Sequence, residues 1–196
     1  MATRPTIPYF PYQDDSLTNL QNMSAAAAFA GQCPVIWHLY KTASQAITAS
    51  TSTQVTFGTA AIDTDGVKSG GGAVIVTPGF YDVEATVGWQ NAATQASVLL
   101  YFTLTAGTAN PLPTGTVIPF GNLGDLADAV AADDSVFTTA ATTPMCYPGD
   151  AIAVMFFCSQ AVTLSIAFNE SGVPNDLGGV PDGGPIFTGM LVSEGP

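Results

Sequence analysis

The chain has 196 residues, of which only 3 are Lys or Arg against 15 Asp or Glu, a formal charge of −12. So few cations cannot replace phosphate counterions, which argues against nucleic acid as a partner and against an anionic membrane surface. The length suits one domain with an appendage, large enough to bury roughly 68–70% of its unfolded surface without a disulfide or metal.

Only 9% of residues are charged. A surface of small uncharged side chains loses little entropy on packing against identical neighbours, a composition common among virion proteins and other assemblies.

Residues 1–13 carry Pro5, Pro8 and Pro11 at every third position, which predicts an extended, polyproline-like arm. Tyr9, Phe10 and Tyr12 on that arm suit anchoring to a partner, because aromatic side chains bury much area at small entropic cost. A helix is predicted over residues 17–30: Asp15 or Ser16 caps it, Leu17, Leu20, Met23 and Ala27 form an apolar stripe, and Gly31 stops it. The stripe fits packing on the chain's own β-domain, on sister subunits or on another protein. The alanine-rich run 25–30 follows prolines and aspartates rather than a positive segment, so no cleaved secretion signal is expected. A first strand is expected over Val35–Lys41, after Pro34.

From Ser44 onward the pattern is almost wholly β. Strands are predicted near 46–49, 53–57, 72–77, 80–89, 97–105, 116–120, 143–147, 151–158, 161–168 and 186–192. They are separated by turn signals at Asp65-Gly66, Gly70-Gly71-Gly72, Pro78-Gly79, Asn110-Pro111 and Pro148-Gly149. Asp125–Asp134 is expected as a short helix or an acidic loop, and residues 169–185 as a surface excursion rich in Gly, Pro, Asn and Asp. Residues 151–168 are uncharged over eighteen positions, close to the length of a membrane span. Their alternation, Ile152, Val154, Phe156 and then Val162, Leu164, Ile166, Phe168, predicts two strands instead.

Little in the chain points to catalysis. His38, the single histidine, stands beside Trp37 in an apolar strand and is expected to be structural. No Gly-x-Ser-x-Gly elbow occurs, and Gly66-Val67-Lys68-Ser69-Gly70 has the wrong spacing for a phosphate loop and reads as a loop or hairpin. Asp63 with Asp65, Asp125 with Asp128, and Asp133-Asp134 could bind calcium, yet they sit in turns where Asp is common; no metal or cofactor is expected. Cys33, Cys146 and Cys158 have neither metal-ligand nor redox spacing and are expected as buried, reduced thiols.

Three fragments carry a family resemblance. Thr77-Pro78-Gly79-Phe80-Tyr81-Asp82-Val83-Glu84-Ala85-Thr86-Val87 is a turn followed by a strand alternating between two faces. Tyr147-Pro148-Gly149-Asp150-Ala151-Ile152-Ala153-Val154 and Phe187-Thr188-Gly189-Met190-Leu191-Val192 follow in order. Together with Phe57 and Asp63-Thr64-Asp65-Gly66 they span about residues 45–192 and resemble the jelly-roll head of the tumour necrosis factor and complement globular-head families. The turn at Pro78-Gly79-Phe80-Tyr81 is shorter than the family's, and residues 107–135 and 169–186 match nothing in it.

The resemblance implies an all-β, ten-stranded jelly roll, residues 42–196, preceded by an arm and short helix, residues 1–41. It further implies a homotrimer whose axis draws on Phe156, Leu164 and Ile166. For function, the expectation is a non-enzymatic structural protein on the exterior of a tailed bacteriophage virion. It would decorate the capsid and attach to the major capsid protein through Tyr9, Phe10, Tyr12, Leu17, Leu20 and Met23. The alternative is a minor tail or fibre-tip protein, contacting other tail proteins and binding a host receptor or glycan at a groove rimmed by Trp89 or Tyr101.

Overall fold

A computed structural model describes residues 35–90, 96–121, 127–129, 135–164 and 185–194. Fourteen strands are formed by these residues. They are β1 (Ile36–Tyr40), β2 (Gln45–Ile47), β3 (Thr53–Gln54), β4 (Thr59–Asp63), β5 (Lys68–Ser69), β6 (Gly72–Val74) and β7 (Gly79–Gln90), followed by β8 (Ala96–Thr105), β9 (Val117–Phe120), β10 (Ala127–Ala129), β11 (Ser135–Thr142), β12 (Ala151–Cys158), β13 (Val162–Leu164) and β14 (Ile186–Glu194). They form two antiparallel sheets of seven. In the first the order is β2-β13-β7-β14-β1-β4, with β11 on β7; in the second it is β10-β8-β12-β6-β5, with β3 on β12 and β9 on β8.

The sheets are a sandwich because their long strands alternate. Along β12 every second side chain, Ile152, Val154, Phe156 and Cys158, is buried. Along β7 it is Tyr81, Val83, Ala85, Val87 and Trp89 that are buried, while Asp82 and Glu84 face out. This period of two places one face of each sheet against the other. Phe187 of β14 joins the layers, with ring centroids 5.8 Å from Trp37, 5.7 Å from Phe57 and 6.1 Å from Phe102. Aromatic pairs of this kind add about 0.5–1.5 kcal/mol each beyond their burial.

Several expectations are corrected. Val35–Lys41 does form a strand, but β1 lies inside the first sheet between β14 and β4, with Trp37 and Leu39 in the core. The head therefore starts by Val35, not at residue 42. Instead of a strand over 143–147 there is a single bridge, Gly79 to Cys146. Residues 127–129 of the segment expected as a helix or loop pair with β8, whose free edge at Ala96–Val98 outweighs the local preference. Strands β4 and β11 were not anticipated, and the strand number among the described residues exceeds the ten expected. Of the segment expected as a loop or hairpin at Gly66–Gly70, Lys68 and Ser69 pair with Ala73 and Gly72, a short hairpin that turns at Gly70-Gly71. The arm over 1–13 and the helix over 17–30 lie outside the described residues.

Gly79 is needed for a reason other than the one its sequence suggests. The described left-handed glycines are 66, 70, 71, 115, 121 and 149, so Pro78-Gly79 is not a turn with positive φ. A Cβ on Gly79 would instead meet the Ser193 carbonyl oxygen at 2.4 Å and Leu191 Cδ1 at 2.5 Å. The absent side chain lets β14 close over the start of β7.

Candidate functional site

Two surfaces stand out on this sandwich. The first is the outer face of the first sheet. Because Tyr81, Val83 and Ala85 point inward, Phe80, Asp82, Glu84 and Thr86 point out. The registers set Met190 beside Asp82, Thr188 beside Glu84 and Ile186 beside Thr86 on β14, and Ile36, His38 and Tyr40 beside those on β1. At one end Phe80, Met190 and Val192 are 39%, 41% and 54% exposed, an unusual density of large apolar side chains in water. On β11 the outward row is Thr138, Ala140 and Thr142. Thr142 Oγ1 donates to Asp82 Oδ1 at 2.6 Å, and the hydroxyls of Thr86 and Thr138 pair at 2.9 Å. His38 is half-buried on this face; Nδ1 has no hydrogen-bond partner among the described residues, and burial lowers its pKa.

The second surface is the loop between β8 and β9. It is tied down by Asp150, whose side chain is fully buried. Oδ1 accepts from Gly107 N at 2.7 Å, and Oδ2 accepts from Asn110 Nδ2 at 2.7 Å and Tyr147 N at 2.9 Å. Leu112 N donates to Asn110 Oδ1 at 3.0 Å, and Gly115 N to the Ala106 carbonyl at 2.8 Å. A buried carboxylate is tolerated when several donors meet it. The Gly149-Asp150 pair of the second sequence motif thus does more than turn the chain into β12. It holds a neighbouring loop rigid, presenting Leu112 and Val117 to solvent.

Lys41 is the most unusual ionisable group described. It is 2% exposed, and Nζ donates to Gln45 Oε1 at 2.8 Å and to the Thr56 carbonyl at 3.3 Å, both neutral acceptors. Burial lowers its pKa to about 8. Gln45 also accepts from Thr56 N at 3.0 Å and donates to the Gln54 carbonyl at 2.7 Å. The group knits the segment after β1 to that around β3. Neither of its hydrogen-bond acceptors among the described residues is an acid.

The residues singled out from the sequence fall in different places. Phe156 and Leu164 are fully buried inside one chain, Phe156 against Trp89 at 5.6 Å. Neither has surface left for a threefold axis. The side of β12 turned away from the core bears Ala151, Ala153, Met155 and Phe157. Ile166 and the six attachment residues of the arm and helix lie outside the described residues. Trp89 is a core residue between Phe156 and Phe137, so it rims no groove, whereas Tyr101 is half-buried.

Asp63 accepts from the backbone of Val67 at 2.7 Å and Lys68 at 3.0 Å, and Asp65 from the Thr77 hydroxyl at 2.8 Å. These are turn-stabilising bonds. Asp125, Asp133 and Asp134 are outside the described residues, as is the side chain of Asp128. Among the described residues no three His, Cys, Asp or Glu side chains converge as a metal site. Cys146 and Cys158 are buried free thiols, and burial pushes Cys146 up to about 11. Cys33 lies outside the described residues. No described helix is long and apolar enough to cross a membrane.

No family model and no curated protein matches the chain. Solved structures do. Murine APRIL at pH 5.0 superposes with a TM-score of 0.52 at 15% identity, over 81% of this chain and 99% of that one. The Eiger TNF of S. frugiperda gives 0.52 at 10% identity, over 83% and 95%. At such identities the likeness concerns the fold: an all-β jelly roll of the tumour necrosis factor type.

Proposed function

We propose that the chain is a non-enzymatic structural virion protein of a tailed bacteriophage, a homotrimeric head on the outer surface of the capsid. Attachment would run through the segment before Val35, where Tyr9, Phe10, Tyr12, Leu17, Leu20 and Met23 lie. The observation that carries the trimer is the exposed cluster of Phe80, Met190 and Val192 on the outer face of the first sheet. Apolar side chains gathered on one side of a small domain are stabilised by a partner surface, and a sister chain offers the same patch. The small share of charged residues and the aromatic, proline-spaced segment support the particle assignment. Many weak sites on one shell bind through avidity.

Native mass spectrometry of the purified chain should show a trimer, and Met190→Asp should reduce it to monomers by placing carboxylates in that interface. A wild-type monomer would overturn the trimer. Copy number in a purified particle separates the two locations: hundreds of copies fit the capsid.

A second reading, a minor tail or fibre-tip protein binding a host receptor or glycan, is favoured by the loop that Asp150 fixes. Rigid loops with exposed apolar tips suit recognition, because little entropy is lost on binding. A copy number of a few dozen at most would favour it.

A further inference from the structure

His38 is the single histidine of the whole chain. Between about pH 5 and 7 it is therefore the one side chain whose ordinary pKa falls in the range. Its neighbours in sequence, Trp37 and Leu39, enter the core, so His38 stands on the outer face of the first sheet, between β14 and β4. The ring is half-buried there. Its Nδ1 is closed off from solvent and has no hydrogen-bond partner among the described residues.

The groups nearest to it are uncharged. Ile36 and Tyr40 share its face of β1, Ile62 of β4 stands opposite on one side and Thr188 of β14 on the other. Ile36 and Ile62 are 3% and 8% exposed, so little water reaches that part of the face. The charged groups of the adjoining elements are engaged or remote. Lys41 turns to Gln45 and Thr56, and Asp63 of β4 is held by the amides of Val67 and Lys68. Glu194 ends β14 opposite Gly79, and Asp82 of β7 is bonded to Thr142. Glu84 of β7 lies in the same row as His38, beyond Thr188. That is two strand spacings of about 4.8 Å each, comparable to the Debye length of about 8 Å in physiological salt.

We propose that the trimer is released by acid: protonation of His38 places a positive charge in the contact between sister chains and separates them. This rests on the trimer proposed for the chain and on its use of the outer face of the first sheet. An imidazolium carries N–H at both nitrogens, so one is fixed at Nδ1, where no described acceptor stands. Covering the face with a sister chain removes further water and lowers the pKa of the ring beyond the effect of burial within one chain. The separated chain then binds the proton more readily than the trimer does. Association is therefore strongest at neutral pH and weakens as pH falls below 6.5, through the range in which His38 of the separated chain titrates. Net charge pulls the other way. With 15 Asp or Glu against 3 Lys or Arg, acid relieves repulsion between copies, so release by acid singles out His38.

The test follows the full chain by sedimentation at pH 7.5 and 5.0, beside His38→Gln, which is neutral at both. A difference of one pKa unit is a factor of ten per site, so the wild type at pH 5.0 should need at least about tenfold more protein to form trimers. The separated chains should keep their far-ultraviolet circular dichroism, and His38→Gln should be trimeric at both pH values. Should that variant not fold, the isotope-labelled histidine of the wild type is titrated by NMR, and should titrate at lower pH in the trimer than in dilute monomer. A wild-type trimer that acid leaves unchanged would overturn the proposal and leave the trimer standing. So would one that acid strengthens, because a carboxylate of the sister chain would then face the ring. A His38→Gln trimer that acid dissolves equally, chains that unfold rather than separate, or equal NMR titrations in trimer and monomer would also overturn it. A wild type monomeric at pH 7.5 would overturn the trimer itself, and this inference with it.

Discussion

Gly189→Ala offers a direct test of how the two edges of the core are fitted. Gly189 lies on β14 directly opposite Trp37 of β1, and the indole lies flat over the missing side chain. A Cβ there would sit 2.0 Å from Trp37 Cζ2, 2.3 Å from Cε2 and 2.4 Å from Cη2. These ring atoms are rigid, and the ring is fully buried against Tyr81 at 5.3 Å and Phe187 at 5.8 Å. It cannot swing aside without displacing both. On an ordinary strand Ala is favoured over Gly by about 0.5–1 kcal/mol; here overpacking costs about 1–3 kcal/mol and the net sign reverses. Trp37→Phe enlarges the space, and its own cost is lessened because Trp37 Nε1 is buried without a hydrogen-bond partner among the described residues. In that background Gly189→Ala should approach neutrality, giving a coupling of about 1–3 kcal/mol in a double-mutant cycle. Urea unfolding followed by tryptophan-independent far-ultraviolet circular dichroism measures all four chains. A wild-type background in which Gly189→Ala is neutral or stabilising would refute the packing.

Three further outcomes are expected. Asp150→Ala leaves Gly107 N and Tyr147 N without their acceptor; it should cost about 2–4 kcal/mol and raise hydrogen exchange over residues 106–116. Lys41 titrates at about 8 in the fold and 10.5 as an ordinary lysine, so above pH 8 the unfolded chain holds the extra proton and stability rises with pH. The gain is about 1 kcal/mol between pH 8 and 9, before Cys146, held at about 11 against 9.0, begins to oppose it; Lys41→Met should remove the rise in denaturant titrations. Deletion of residues 1–31 spares β1 and should leave a folded trimeric head that no longer attaches to particles, whereas aggregation or full occupancy on particles would argue against the anchoring segment.

What could be read from the residues alone was whatever depends on local period. The alternation in 79–90, 96–105 and 151–158 marked β7, β8 and β12, because a strand with one buried face repeats every second residue. The order of the punctuated fragments led to the jelly roll. Alternation tells that a strand has two faces, however, and not what covers each. Phe156 and Leu164 fitted an axis as well as a core until the opposite sheet was seen to bury them. Strand β11 escaped notice because Phe137, Thr139 and Ala141 alternate weakly, and its pairing with β7 joins residues about fifty positions apart. Remoteness in the chain likewise hid the tie from Asp150 to Gly107 and the seat of Trp37 on Gly189. Those features arise between segments that are remote in the chain, so their residue types acquire a reason only when the sheets close around them.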